Sequence, residues 1–376
     1  GSVLLNSFYD PIIPEGLPRT VAALDQWNGS RTLVPPEPVF EALAQDLKLA
    51  MDNEKASPMA TRLNFEETGS RTIFMRAARK VGAQDTGPWK PFFEQVDPAW
   101  AQPAIWGTIR NLHSSTHTLF FLQAVDMRRQ TNGEVAQQPE DQRIYVNIFL
   151  RTVGVALSVT LACLALGFPI AYLLAHLKDK TANMLLILVL LPFWTSLLVR
   201  TTAWVVLLQK EGVVNSLLTA SGLIAEPLPL IFNRFGVVVA MTHILLPFTI
   251  LPLYSVMRSI PPSFVRAARS LGADPFTAFV RVYLPQCLPG ISAGALLVFI
   301  LSLGYYITPA LVGGATDQMI SYFIADNLGR SLNWGLASAL AAILLAAVLG
   351  LLAVALFGPH VALPAHYHAF ADQRSA

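Results

Sequence analysis

Charge is what this chain has least of. Of its 376 residues only 13% are Asp, Glu, Lys or Arg, while 53% are hydrophobic; a soluble globular chain carries about 25% charged residues. Cysteine is scarcer still, with two in the chain. Cys163 and Cys287 both lie in apolar runs, which excludes a disulfide framework and a cysteine zinc cage and leaves packing as their role. There is no GxxxxGK[ST] loop, so the chain does not hold nucleotide phosphates by that means. His113 and His117 have the i, i+4 spacing of a metal pair, but no Glu or Cys accompanies them nearby, so no metal site is read there. Nothing calls for a cofactor. A net charge of +2 gives no reason to invoke nucleic acid.

The charge deficit is local. Residues 1–143 hold 14 Lys/Arg and 17 Asp/Glu, whereas 144–376 hold 12 and 7. A polar first part of ordinary composition therefore precedes a charge-poor second part. In the second part five uncharged runs stand out: Thr152–Ala175, Thr181–Val199, Phe235–Met257, Val282–Thr316 and Ser331–Phe357. A bilayer core takes about 20 apolar residues in a helix. The pattern predicts an all-α membrane protein with spans at about 148–175, 184–208, 235–257, 286–306 and 334–357.

Lys and Arg in short loops set orientation. Lys178 and Lys180 follow the first span, and Arg258, Arg266, Arg269 and Arg281 follow the third. Those loops are expected inside, together with a cytoplasmic tail over 359–376, and residues 10–143 outside. Residues 1–9 start Gly-Ser-Val-Leu-Leu and read as the last turn of an earlier apolar helix, so a further span or a cleaved signal is expected before Gly1. The outer segment has helical apolar spacing from Glu37 to Met51 and shorter runs over 70–81, 98–111 and 116–129. No strand alternation is read in it. It is either a small helical cap or a docking surface.

Several residues are candidates for a solute path. Arg200 is the one Lys or Arg well inside a span, about 24 Å along a continuous helix counted from Met184. Trp194, Thr195 and Trp204 share that helix, and Tyr305 and Tyr306 close the fourth span. Each has a plainer reading: snorkelling for Arg200, an interfacial belt for the tyrosines. His243 reads as a hydrogen-bonded core histidine. No Asp or Glu lies inside any of these spans, which counts against an ion-coupled carrier.

The loop at 258–285 carries the most information. Pro261-Pro262 suits a helix start. Phe264–Leu271 makes one short helix, and Gly272 closes it in the left-handed conformation. Asp274 caps a second helix from Pro275, with Phe276, Phe279, Val280 and Tyr283 near one face. Two short helices at a fixed angle suit a rigid push from another protein. A basic loop resting on lipid headgroups is the plainer alternative.

Arg266-Ala267-Ala268-Arg269, Gly272-Ala273 and Leu284-Pro285, placed between two spans, resemble the EAA loop of binding-protein-dependent ABC importer permeases. Pro192–Arg200, Ala203-Trp204, His243–Pro247, Tyr305–Gly314 and Asn333–Ala339 resemble the spermidine/putrescine (polyamine/opine) branch of that family. The likeness covers about 145–357 and leaves the outer segment unexplained. It implies a type I ABC importer permease with an extracytoplasmic helical insertion. It also implies a second permease, similar or identical, two ATP-binding subunits under the loop, and an extracytoplasmic solute-binding protein outside the bilayer. Phe276 and Phe279 would belong to the docking segment. One departure stands out: the family usually has Glu before the two alanines, and this chain has Arg266. A membrane-anchored scaffold or sensor, with the outer domain as its working part, is the alternative from a different class.

Overall fold

The computed structural model describes residues 2–357; the expected tail at 359–376 lies outside the described residues. The chain divides into two compact units, one of residues up to Val146 together with Ile324–Ala342, the other of Asn147–Phe323 and the residues from Ile343 onward.

The first unit is built from short helices: α1 (Ser2–Asn6), α2 (Ile12–Gly16), α3 (Pro18–Gln26), α4 (Glu37–Asp52), α5 (Ala56–Glu66), α6 (Ser70–Lys80), α7 (Trp89–Val96), α8 (Pro103–Asn111) and α9 (Leu119–Ala124). Helix α4 follows its apolar spacing, with Val39, Phe40, Leu43, Leu47 and Ala50 all buried. Glu37 at its start accepts the backbone amides of Trp89 and Lys90, so one carboxylate supplies the missing acceptor at the head of α7. The core is aromatic. Phe40 meets Trp106 edge-on at 4.7 Å, and Trp100 lies 5.2 Å from Phe93 and 5.4 Å from Trp106, the tilted geometry that ring quadrupoles favour.

Two features depart from the sequence reading. The run over 116–129 stops being helical at Ala124, Asp126 takes a left-handed φ of 59°, and Met127–Arg129 (β1) pairs antiparallel with Val135–Gln137 (β2). Three-residue strands are too short to show alternation. The second feature is a buried ion cluster. Arg62 pairs with Asp10 and with Glu66 at 2.8 Å, and His117 lies 3.5 Å from Asp10. Asp126 is also buried, and its carboxylate accepts the amides of Ile144, Tyr145 and Val146 at 3.1, 2.9 and 2.8 Å. It thereby caps the start of α10 (Tyr145–His176).

In the second unit come α11 (Asp179–Leu190), α12 (Leu197–Leu208), α13 (Val213–Ala220), α14 (Arg234–Ser259), α15 (Ser263–Ser270), α16 (Pro275–Ala278), α17 (Leu284–Leu303) and α18 (Ile307–Val312). Helix α19 (Ile320–Gly329) begins in this unit and α20 (Trp334–Phe357) ends in it. Among the described residues four helical segments are long and apolar enough to cross a membrane, Tyr145–His176, Arg234–Ser259, Pro275–Leu303 and Trp334–Ala355. The stretch read as a single span over 184–208 is not one helix. It breaks at a 3₁₀ turn over Leu191–Trp194, and the two halves bend by 95°. Pro192 supplies no backbone donor at the break, which is why apolar periodicity continues where the helix does not.

Helices α10, α14 and α17 share a core. Val155, Val159 and Cys163 pack on Val237, Met241, Leu245 and Val298, and Ala171 and Leu174 pack on Ile250, Leu253, Tyr283 and Cys287. Both cysteines are buried and free. Close approach of α14 and α17 rests on Gly290 and Gly294. A Cβ on Gly290 would stand 3.2 Å from the Leu253 Cα, and one on Gly294 3.3 Å from the Thr249 carbonyl. This small-residue spacing lets two backbones meet inside lipid, where van der Waals contact drives association. Gly290-Ile-Ser-Ala-Gly294 also spells GxSxG, but it lies within a helix and Ser292 donates to the Pro289 carbonyl. No strand-to-helix elbow exposes that hydroxyl.

Candidate functional site

Helix α15 ends in a turn that fixes the direction of α16. The Gly272 amide donates to Arg269 at 3.0 Å and the Ala273 amide to Ala268 at 3.1 Å, with Gly272 at φ +93°. This is the Schellman closure. Asp274 then accepts the amides of Phe276 and Thr277 at 3.0 and 3.1 Å. The Thr277 side chain first, and then these amides, hold its carboxyl below the usual range. The second helix is not free-standing. α16 passes through a π turn over Phe279–Tyr283 directly into α17, with Leu284 and Pro285 in the first turn of that span. The second helix of the loop and the span are therefore one continuous stretch of helical backbone.

The segment is also fastened to its neighbours. Phe279 lies 5.9 Å from Tyr172 and 6.3 Å from Phe168, both edge-on, while Tyr283 lies 5.5 Å from Tyr172 and 5.7 Å from His176. Arg258 donates to the Ala175 and Leu177 carbonyls at 2.8 and 3.3 Å and pairs with Asp179. It satisfies the open C-terminal carbonyls of α10 where a cation also suits the helix dipole.

Helix α15 has two distinct sides. At 100° per residue, Phe264, Ala267, Ala268 and Leu271 fall together, and Val265, Arg266 and Arg269 fall opposite. Leu271 is 89% exposed and Phe276, on the next helix, 75%. The arginine side borders a cavity of about 620 Å³, whose wall includes Tyr172, Arg258, Phe279 and Tyr283.

The candidate path residues separate into two groups. Trp204 donates from its indole to His243 Nδ1 at 3.2 Å. Arg200 is close enough to His243 and Tyr305 to act on both electrostatically, and its Nε is buried without a partner. Beside them the Thr201 and Thr308 hydroxyls share a hydrogen bond at 3.1 Å. Arg200, Trp204 and Tyr305 thus converge around His243, which is hydrogen-bonded as its sequence reading expects. Trp194 and Thr195 do not join them. They sit at the helix break, Trp194 89% exposed and the Thr195 hydroxyl donating to the Pro192 carbonyl. The break also removes the basis for placing Arg200 24 Å along a straight helix from Met184. Tyr306 is half-exposed and stands 6.2 Å from Tyr322. No local signal in the sequence marks Thr201 and Thr308, because their pairing joins α12 to α18 across 107 positions.

The chain is 36% identical over 209 residues to the spermidine/putrescine transport system permease protein PotB of Escherichia coli K12, covering 56% of this chain and 76% of that protein. It is 38% identical over 181 residues to the inner membrane ABC transporter permease protein YdcU of the same organism, covering 44% and 57%. A solved bacterial alginate ABC transporter, in complex with an alginate pentasaccharide-bound periplasmic protein, aligns with TM-score 0.46 at 19% identity, over 57% of this chain and 77% of that one. The family model for the binding-protein-dependent transport system inner membrane component matches residues 167–358. With half of its length in that match, the chain is a multi-span, all-α membrane permease and belongs to the family of binding-protein-dependent transport system inner membrane components.

Proposed function

We propose that this chain is the solute-conducting subunit of an ATP-driven importer and that the 258–285 segment is where ATP hydrolysis is felt. One observation carries the reading. An exposed apolar face, Phe264, Leu271 and Phe276, is held on a capped two-helix turn that runs without a break into α17. Such a face suits a groove on a partner, and the continuous backbone passes any displacement to the span. The partners are two ATP-binding subunits, a second permease, similar or identical, and a solute-binding protein that docks on the side of residues 10–143, the periplasmic face of the inner membrane. Alternating access follows when closure of the ATPases moves two such segments together.

The solute we assign is a small amino-bearing compound, in line with what PotB is named for. Arg200 refines that class. A half-buried guanidinium in the path, with its Nε unpartnered, repels a bare polyamine and favours a compound that also carries a carboxylate, such as an opine. The test is uptake into right-side-out vesicles that hold the chain with its partner permease and ATPase, with ATP enclosed and the solute-binding protein supplied outside. ATP-dependent accumulation, lost when the ATPase is omitted, supports the reading. Accumulation driven by an ion gradient without ATP would replace it with a carrier, and no retained ATPase at all would return the scaffold alternative.

A further inference from the structure

The cavity beside α15 is not needed for a partner that docks on the opposite, apolar side of that helix. We propose that it is a site for an anionic phospholipid, through which membrane charge bears on the coupling segment.

Three observations carry this. First, the charge is unspent. Neither Arg266 nor Arg269 has a hydrogen bond or ion pair to a described residue through its guanidinium, while Arg258, the third arginine on the wall, is held by two carbonyls and Asp179. Guanidinium groups are suited to phosphate because they present paired donors in one plane. Second, apart from His176 and the tyrosine hydroxyls of Tyr172 and Tyr283, the rest of the wall is apolar: Met257, Ile260, Val265 and Phe279 continue from the arginines. A phosphate alone would use only half of such a surface, whereas a phosphodiester with its glycerol and upper acyl carbons would use both. Third, the cavity lies at the ends of α10 and α14, two membrane-spanning helices, and basic pockets between span ends are where anionic headgroups collect. Occupancy would clamp α15 to α10 and to the π turn before α17.

The inference rests on this end of the bundle being at the membrane face and not on any partner, so it is tested on the chain alone. The delipidated full chain is titrated with dioleoylphosphatidylglycerol, dioleoylphosphatidylcholine or glycerol phosphate and read by native mass spectrometry. At about a fivefold contribution per arginine near a headgroup, the phosphatidylglycerol should be retained about 30-fold better than phosphatidylcholine. The double variant R266Q/R269Q should lose that preference, and Arg281→Gln, an exposed arginine of the same segment outside the cavity, should keep it. Val265→Trp, which narrows the cavity beside the arginines without touching charge, should weaken lipid retention while its circular dichroism stays helical. Equal loss in Arg281→Gln would reduce the effect to general surface attraction and overturn the site. Displacement of lipid by equimolar glycerol phosphate would overturn the lipid in favour of a free phosphate compound. ATPase retention is measured separately, so failure here leaves the importer reading standing.

Discussion

Gly272 offers a graded perturbation of the coupling turn. Its φ is +93°, and a Cβ built there would meet nothing within 4 Å. The cost of a side chain is therefore conformational alone. Alanine in the left-handed region loses about 1 kcal/mol, and asparagine, which visits that region more readily, loses less. Proline is a different case. Its φ is fixed near −65°, which cannot match +93°, and it deletes the amide that donates to Arg269. Strain and the lost bond together amount to about 3 kcal/mol or more. If the docked partner requires the native turn, these costs appear as weaker association: under about threefold for Gly272→Asn, about fivefold for Gly272→Ala and beyond about 100-fold for Gly272→Pro. The assay is binding of the ATP-binding subunit to the full chain in nanodiscs, with thermal melting in parallel. The rank order Asn, Ala, Pro at unchanged melting supports the reasoning. Alanine as damaging as proline would refute it, since open space leaves no steric reason for that result. So would proline without effect.

Four further outcomes are expected. Gly294→Leu should drive α14 from α17 and lower the melting temperature, at a cost of about 1–3 kcal/mol for overpacking a helix contact; unchanged melting would mean the 3.3 Å approach is not required. Asp126→Ala should leave three amides at the head of α10 uncapped and cost about 1–2 kcal/mol, with Asp126→Asn closer to native, read by hydrogen exchange over 144–148. Burial alone would raise the Asp10 pKa, but His117 and Arg62 outweigh it and bring it to about 2. A folded value below the unfolded one near 3.9 gives stability present above about pH 4 and lost as pH falls toward 2. That slope is worth about 2 kcal/mol, should show in near-ultraviolet circular dichroism and should vanish in Asp10→Asn. Arg200→Gln should lower uptake of a carboxylate-bearing amine while ATPase retention stays intact; equal loss of both would make Arg200 structural.

What can be read from the residues is whatever depends on short-range regularity. Uncharged runs long enough for a bilayer mark where α10, α14, α17 and α20 lie, because hydrophobic thickness is a property of length and composition. Gly272 and Asp274 mark the closure and the cap because φ > 0 and an unpaired amide each favour few residue types. The tertiary structure decided everything that joins distant positions. Asp126 caps a helix that begins 19 residues later, Trp204 meets His243, and Thr201 meets Thr308, none at a spacing any helix imposes. Pro192 marks a weak point between α11 and α12, but that the two halves bend by 95° is not legible because both are apolar and composition does not report direction. The sequence alone determined that the chain is a membrane permease of this family, since bilayer length and a loop motif are local. Which of its polar residues converge, and which face of α15 is left open, only the packing of helices could settle, because side chains far apart in the chain acquire neighbours only when the helices that bear them are placed.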